Sequence, residues 1–156
     1  LGNGYNTEAS GDSPLLVGGG VGVPPMYMLC RELISEGKNV TVVLGFNSKD
    51  DVFYENEFRA LGANVHIATA DGTYGTKGFV TDVIKDMQYT FLHLRTRADV
   101  PRDAQNHETP GQYSFEERMG CGFGACMGCS CKTLTGNKRI CKEGPVMESE
   151  EIIWAD

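Results

Sequence analysis

Apolar residues along the first 88 positions follow two alternating rhythms, short unbroken runs and helical repeats. Leu15-Leu16-Val17 is an apolar run between Pro14 and the turn Gly18-Gly19-Gly20-Val21-Gly22. Met26, Leu29, Cys30, Leu33 and Ile34 then recur at helical spacing. Pro24 and Pro25 suit a first helical turn, where a missing N–H costs nothing. Gly37 stops that helix. Residues 39–44 (NVTVVL) read as a second, buried parallel strand. Tyr54, Phe58 and Leu61 mark a short helix, capped by Ser48 or Asp50 and ended by Gly62. Residues 65–68 (VHIA) read as a third strand and residues 79–87 as a further helix. This alternation predicts an α/β fold with a Rossmann-like parallel sheet.

The turn between the first strand and helix carries candidate chemistry. Its glycines, Gly18, Gly19, Gly20 and Gly22, leave N–H groups free where a pyrophosphate can sit. A purely structural βαβ turn is the alternative, because G-x-G-x-x-G is not met. The run GGGVGVPP matches instead the GGGxGxxP turn of ferredoxin-reductase-type nicotinamide modules. No acidic residue ends the second strand, and no arginine stands there either. The missing arginine favours NAD over NADP, while Lys49 leaves NADP open. A second polar, glycine-rich loop, Asp71-Gly72-Thr73-Tyr74-Gly75-Thr76-Lys77-Gly78, follows the third strand. Ligands of open α/β sheets bind at that edge.

Composition narrows the classes. Hydrophobic residues are 40% and charged residues 22%, an ordinary globular balance for 156 residues in one domain or two small ones. The net charge of −7 makes nucleic acid and anionic membranes poor partners. No apolar run approaches the length of a membrane span. The polar, glycine-rich start lacks secretory character, which leads us to expect a cytoplasmic chain with reduced thiols.

Those thiols are the most specific signal. Cys121, Cys126, Cys129 and Cys141 read C-x4-C-x2-C-x11-C. The first three have the plant-type [2Fe–2S] spacing, and a fourth follows. Gly122, Gly124, Ala125, Gly128 and Ser130 are small enough to let backbone N–H groups approach the sulfurs. A structural zinc site is the alternative, although zinc sites usually use two short C-x2-4-C pairs. Disulfides would need an oxidising compartment. Cys131 is a spare, either a packed thiol or a substitute ligand. Cys30 falls on the apolar face of the first helix and is expected in the core. His66 has no ligand partner at useful spacing and is read as a satisfied or exposed histidine.

Five segments together resemble the electron-transfer subunit of class 1B dihydroorotate dehydrogenase. They are Leu1-Gly2-Asn3-Gly4-Tyr5, the GGGVGVPP turn, Leu44-Gly45-Phe46-Asn47-Ser48-Lys49-Asp50, the loop from Asp71 with Phe79-Val80, and Glu116-Glu117-Arg118-Met119-Gly120-Cys121-Gly122. The resemblance covers nearly the whole chain except about residues 89–112. It implies a nicotinamide-binding domain over residues 1–88 and a [2Fe–2S] domain over residues 113–156, ligated by Cys121, Cys126, Cys129 and Cys141. It also implies that Gly2, Asn3 and Gly4 lie near FAD, and that Asp71, Gly72, Tyr74 and Gly75 contact NAD. Electrons would pass from an FMN-containing catalytic subunit through the cluster and FAD to NAD, in pyrimidine biosynthesis. Other flavin and [2Fe–2S] reductases, of the sulfide dehydrogenase or ferredoxin–NADP reductase type, are the runner-up, and a zinc-stapled interaction module is the rival of another class.

Two departures from that family stand out. The FAD-binding barrel that precedes LGNG in the family is not in this sequence, so the chain is expected to be inactive alone. Residues 89–112 also lack the family's CGPxPM loop and carry Arg95, Arg97, Asp99 and Arg102 instead. With codons chosen for the purpose, residues 92–104 read one nucleotide later spell CTCGPGPMFRAM. The stretch is therefore compatible with an out-of-frame translation, with a second shift before Tyr113, and the alternative is that it is genuine as written. A gene whose alternate frame lacks CGPxPM overturns this. Charges in place of an apolar strand predict an irregular connection and a sheet short of one strand.

Overall fold

The computed structural model describes residues 1–95 and 109–153. Its strands are β1 (Pro14–Gly19), β2 (Thr41–Phe46), β3 (Asn64–Thr69), β4 (Thr76–Lys77), β5 (Phe91–Arg95), β6 (Gly111–Ser114), β7 (Ser130–Thr133), β8 (Gly136–Arg139) and β9 (Val146–Glu148). Seven of them form one sheet in the order β4-β3-β2-β1-β5-β6-β9. All neighbours are parallel except β6 and β9. Strands β7 and β8 form a separate antiparallel pair.

Alternating side chains explain how the sheet is covered on both faces. Leu16, Val42, Leu44, Val65 and Ile67 face one way. Helix α1 (Val23–Ser35) packs on them with Met26, Leu29, Cys30 and Leu33, and α2 (Glu55–Ala60) adds Phe58. Leu15, Val17, Val43, Leu92 and Leu94 face the other way, against Ile84 of α3 (Val80–Ile84). Cys30 is fully buried and His66 is exposed, as the sequence pattern anticipates.

The structure corrects several expectations. The sheet does not lose a strand at residues 89–112, because β5 pairs with β1 and β6 near its centre. Leu92 and Leu94 supply its apolar face. The polar residues are met in part: His93 Nε2 lies 2.6 Å from Ser10 Oγ and Arg95 pairs with Glu116 at 2.9 Å, while His93 Nδ1 and Arg95 Nε are buried with no hydrogen bond among the described residues. Arg97, Asp99 and Arg102 lie outside the described residues, as does most of the stretch read as out of frame. Ser48 caps a 3₁₀ turn at Lys49–Asp51 rather than a helix, and α2 starts after Tyr54 at φ +66°. The helix expected at residues 79–87 is shorter, and the loop after β3 contains β4. Position 113, where a domain boundary was expected, falls inside β6.

Candidate cluster and nucleotide sites

Three cysteines lie in the loop that leads into β7, and Cys141 follows β8. The β7–β8 pairing therefore folds the fourth cysteine back towards the loop. Their sulfurs meet a ring of backbone donors. Ala125 N–H and Cys126 N–H donate to Cys121 Sγ at 3.3 and 3.5 Å. Gly128 N–H donates to Cys126 Sγ at 3.4 Å, and Cys141 N–H to Cys129 Sγ at 3.5 Å. Small residues permit this: a Cβ at Gly120 or Gly128 would lie 3.2 or 3.4 Å from Cys126 Sγ.

Donors of this kind favour thiolate over thiol. The N–H groups of Cys126 and then Phe123 pull the Cys121 thiol down to about 6. The Cys141 N–H lowers Cys129 in the same way, whereas burial raises Cys141. The four cysteines thus fall into two pairs joined by backbone N–H···S bonds, Cys126 N–H to Cys121 Sγ and Cys141 N–H to Cys129 Sγ. Cys141 also senses Cys121, which joins the pairs electrostatically. Among the described residues, no three His, Cys, Asp or Glu side chains close around a point that would hold one metal ion. A [2Fe–2S] cluster takes two cysteines on each of two irons, an arrangement that two cysteine pairs suit. Cys131 is half-buried on β7 with its thiol raised by burial, as a packed neighbour would be.

The nucleotide candidates sit at the C-terminal edge of the parallel sheet. Gly18 and Gly19 end β1, and Gly20 turns at φ +52° with open space on its side-chain face. Gly22 lets the chain enter α1 against β5, since a Cβ there would come 2.5 Å from Arg95 O. Asp71 follows β3, two strands from β1, or about 10 Å across the sheet. Its carboxylate accepts from Thr73 N–H at 3.0 Å and Thr73 Oγ1 at 2.7 Å, which holds it below the usual carboxylate range. Gly72 and Gly75 carry positive φ in the same loop. Tyr74 OH donates to the Glu55 carboxylate at 3.0 Å, and Arg59 holds the same carboxylate at 2.8 Å.

Gly2, Asn3 and Gly4 lie elsewhere. Asn3 bridges to Pro145, and its Nδ2 donates to Glu143 O at 3.2 Å. Gly2 lies so close to Gly144 O that no side chain fits. Gly4 and Tyr5 line an open cleft of about 680 Å³ with Met28, Arg31 and Glu32 of α1. Sequence reasoning missed this cleft, Glu55, and an Arg139–Glu143 pair beside Cys141. Only that last pair left a trace, opposite charges four positions apart around a cysteine.

Comparison with known proteins finds the chain similar to oxidoreductases. The family described as the oxidoreductase NAD-binding domain matches residues 16–99. The iron–sulfur cluster binding domain of dihydroorotate dehydrogenase B matches residues 116–153. The chain is 48% identical to the dihydroorotate dehydrogenase B (NAD(+)) electron transfer subunit of Shouchella clausii, over 98% of this chain and 62% of that protein. The subunit of the same name from Bacillus pumilus is also 48% identical, over 97% and 62%. The chain thus spans about three-fifths of the length of these relatives. Among solved structures, an NADH-dependent reduced ferredoxin-NADP oxidoreductase, described for flavin-based electron bifurcation, superposes with TM-score 0.82 at 28% identity. That match covers 99% of this chain and 58% of the other.

Proposed function

The chain belongs to the oxidoreductase NAD-binding family and ends in a cluster-binding domain of the dihydroorotate dehydrogenase B type, and on that premise we propose that it relays electrons between an FMN-containing dihydroorotate dehydrogenase catalytic subunit and NAD, by way of [2Fe–2S] and FAD. The observation that carries this reading is the pairing of Cys121 with Cys126 and of Cys129 with Cys141 through backbone N–H···S bonds. These four are the proposed ligands. When bound, the cluster supplies one-electron transfer. The chain's part is to hold thiolates with backbone N–H groups and to keep the cysteine loop near the surface.

The turn at Gly18 to Gly22 is the proposed pyrophosphate cradle, and Asp71, Gly72, Tyr74 and Gly75 the adenosine side of NAD. Gly2, Asn3 and Gly4 are assigned to the flavin side, and the cleft beside Gly4 and Tyr5 supports room for a ligand or chain there. Exposed Met119, Phe123 and Met127 rim the cysteine loop and suit a subunit interface. Free thiols throughout favour the reducing cytoplasm, and among the described residues no helix is long and apolar enough to cross a membrane. The likeness to the ferredoxin-NADP oxidoreductase favours a second reading, a reductase with another electron donor.

Anaerobic reconstitution with ferrous iron and sulfide tests the core of the proposal. We expect two irons and two sulfides per chain and a red-brown spectrum. A colourless chain holding one zinc overturns it. Mixing with a dihydroorotate dehydrogenase catalytic subunit separates the two redox readings: a stable complex is expected, weakened by Phe123→Glu. No complex at all favours the second reading.

A further inference from the structure

Arg139 ends β8, two positions before Cys141, and its side chain reaches back to the loop that carries the other three cysteines. Its guanidinium is fixed by Glu143. Nε donates to Glu143 Oε2 at 2.9 Å, Nη2 bonds Glu143 Oε1, and the Arg139 backbone N–H donates to Oε2 at 2.8 Å. A fork held on its carboxylate side leaves Nη1 to face the loop. Nη1 donates to Gly124 O at 2.7 Å.

That carbonyl belongs to the peptide unit joining Gly124 to Ala125. A trans peptide is planar, so its C=O and N–H point in opposite directions. Fixing the carbonyl on Arg139 therefore aims the Ala125 N–H the other way. It aims at Cys121 Sγ, 3.3 Å distant. Arg139, Gly124–Ala125 and Cys121 thus form one continuous line of donors and acceptors. Each bond polarises the next. Hydrogen bonds to cluster sulfurs and local net charge both set reduction potential. A cation feeding a donor to sulfur stabilises the extra negative charge of the reduced state.

We propose that Arg139, held by Glu143, is a positioning residue that orients the Gly124–Ala125 peptide onto Cys121 Sγ and raises the reduction potential of the bound cluster. The inference rests on the cluster reading above. It assigns a role to a residue that touches no sulfur itself. Lys142 is the natural control: it is exposed, equally charged and adjacent to Cys141, yet its side chain makes no hydrogen bond to the loop among those described.

The full chain, reconstituted anaerobically with iron and sulfide, is titrated with dithionite and mediator dyes of known potential, and its reduced form is recorded by electron paramagnetic resonance. Arg139→Gln should keep two irons and shift electron partition between cluster and dye about tenfold towards the oxidised cluster, about 59 mV for one electron. Arg139→Lys keeps the charge without the fork and should fall between wild type and Arg139→Gln. Lys142→Gln should shift less than half as far. The resonance of reduced Arg139→Gln should differ from wild type, while that of Lys142→Gln should not. A Lys142→Gln shift as large as that of Arg139→Gln overturns the proposal, because bulk charge then suffices. An unchanged potential in Arg139→Gln overturns it too. If Arg139→Gln retains no cluster, Arg139→Lys decides: cluster loss to a chelator several-fold faster than wild type upholds the role, and wild-type behaviour ends it. A wild-type chain that takes up no iron and sulfide overturns the cluster reading, and this inference with it. A normal cluster unmoved by Arg139→Gln overturns the inference alone.

Discussion

The two halves of the described chain are held together by different forces. On the nucleotide side, thirteen buried residues fill one face of the sheet, from Leu16 to Ile67, and a second cluster fills the other. The cysteine side has a core of only four buried residues, Cys129, Ile140, Cys141 and Met147. Two of those four are proposed ligands. Burial dominates the first half, whereas the small core around the cysteines, which touches the sheet through Met147 of β9, is the part expected to gain most from a metal staple. The difference predicts that cofactor loading and local folding are coupled around the cysteines and uncoupled in the sheet.

The sharpest way to break this comparison is to remove a buried ligand. Cys129→Ser or Cys141→Ser should reduce iron content to near zero, since a hydroxyl poorly replaces thiolate. Circular dichroism of the parallel sheet should persist in that variant. Collapse of the whole chain would show that the halves are one cooperative unit. The converse change, Phe58→Ala, empties a fully buried position on α2 that packs against Tyr27 of α1. It should cost about 3–5 kcal/mol in urea unfolding of the sheet, with the visible spectrum of the folded fraction unchanged. A bleached spectrum under native conditions would again join the halves.

Acid should distinguish them more gently. His93 is buried in β5, and its Nδ1 has no hydrogen-bond partner among the described residues. Burial, and then Lys38, depresses it from 6.5 to about 3. A depressed base binds its proton more readily in the unfolded chain, so the stability is intact above pH 6.5 and is lost progressively down to about pH 3. By pH 5 the loss should be about 2 kcal/mol. Urea midpoints of the chain at pH 7 and 5 measure it, and His93→Gln should flatten the difference. An equal slope in that variant assigns the acid response to other groups. The smallest effect is expected from Cys131→Ser, which should leave iron near the wild-type value. Iron lost there but kept in Cys141→Ser would replace the ligand set.

What could be read from the sequence follows the same division. Strand β1, helix α1 and strand β3 are legible because unbroken apolar runs and a 3.6-residue repeat can satisfy themselves with any matching partner. The cysteine spacing is legible because ligand chemistry constrains it directly. Strand β5 was hidden, since His93 and Arg95 look unburiable until Ser10 and Glu116 are brought from distant parts of the chain. Ser48 reads as a helix cap, and only the structure shows it closing a 3₁₀ turn on Asp51. Arg139 was overlooked for a similar reason. Its partner Gly124 lies fifteen positions away across a turn that local pattern does not specify.

The bond from Asn3 to Glu143 joins residues 140 positions apart. Closing so long a loop is entropically slow to reward, so contacts of this span form after local ones. The central strands are expected to be in register before residues 3 and 143 meet, so that Asn3 would report on the end of folding rather than its beginning. A fluorescent or exchange probe at that position should gain protection last, and the segment is the natural place for a misassembled chain to remain open.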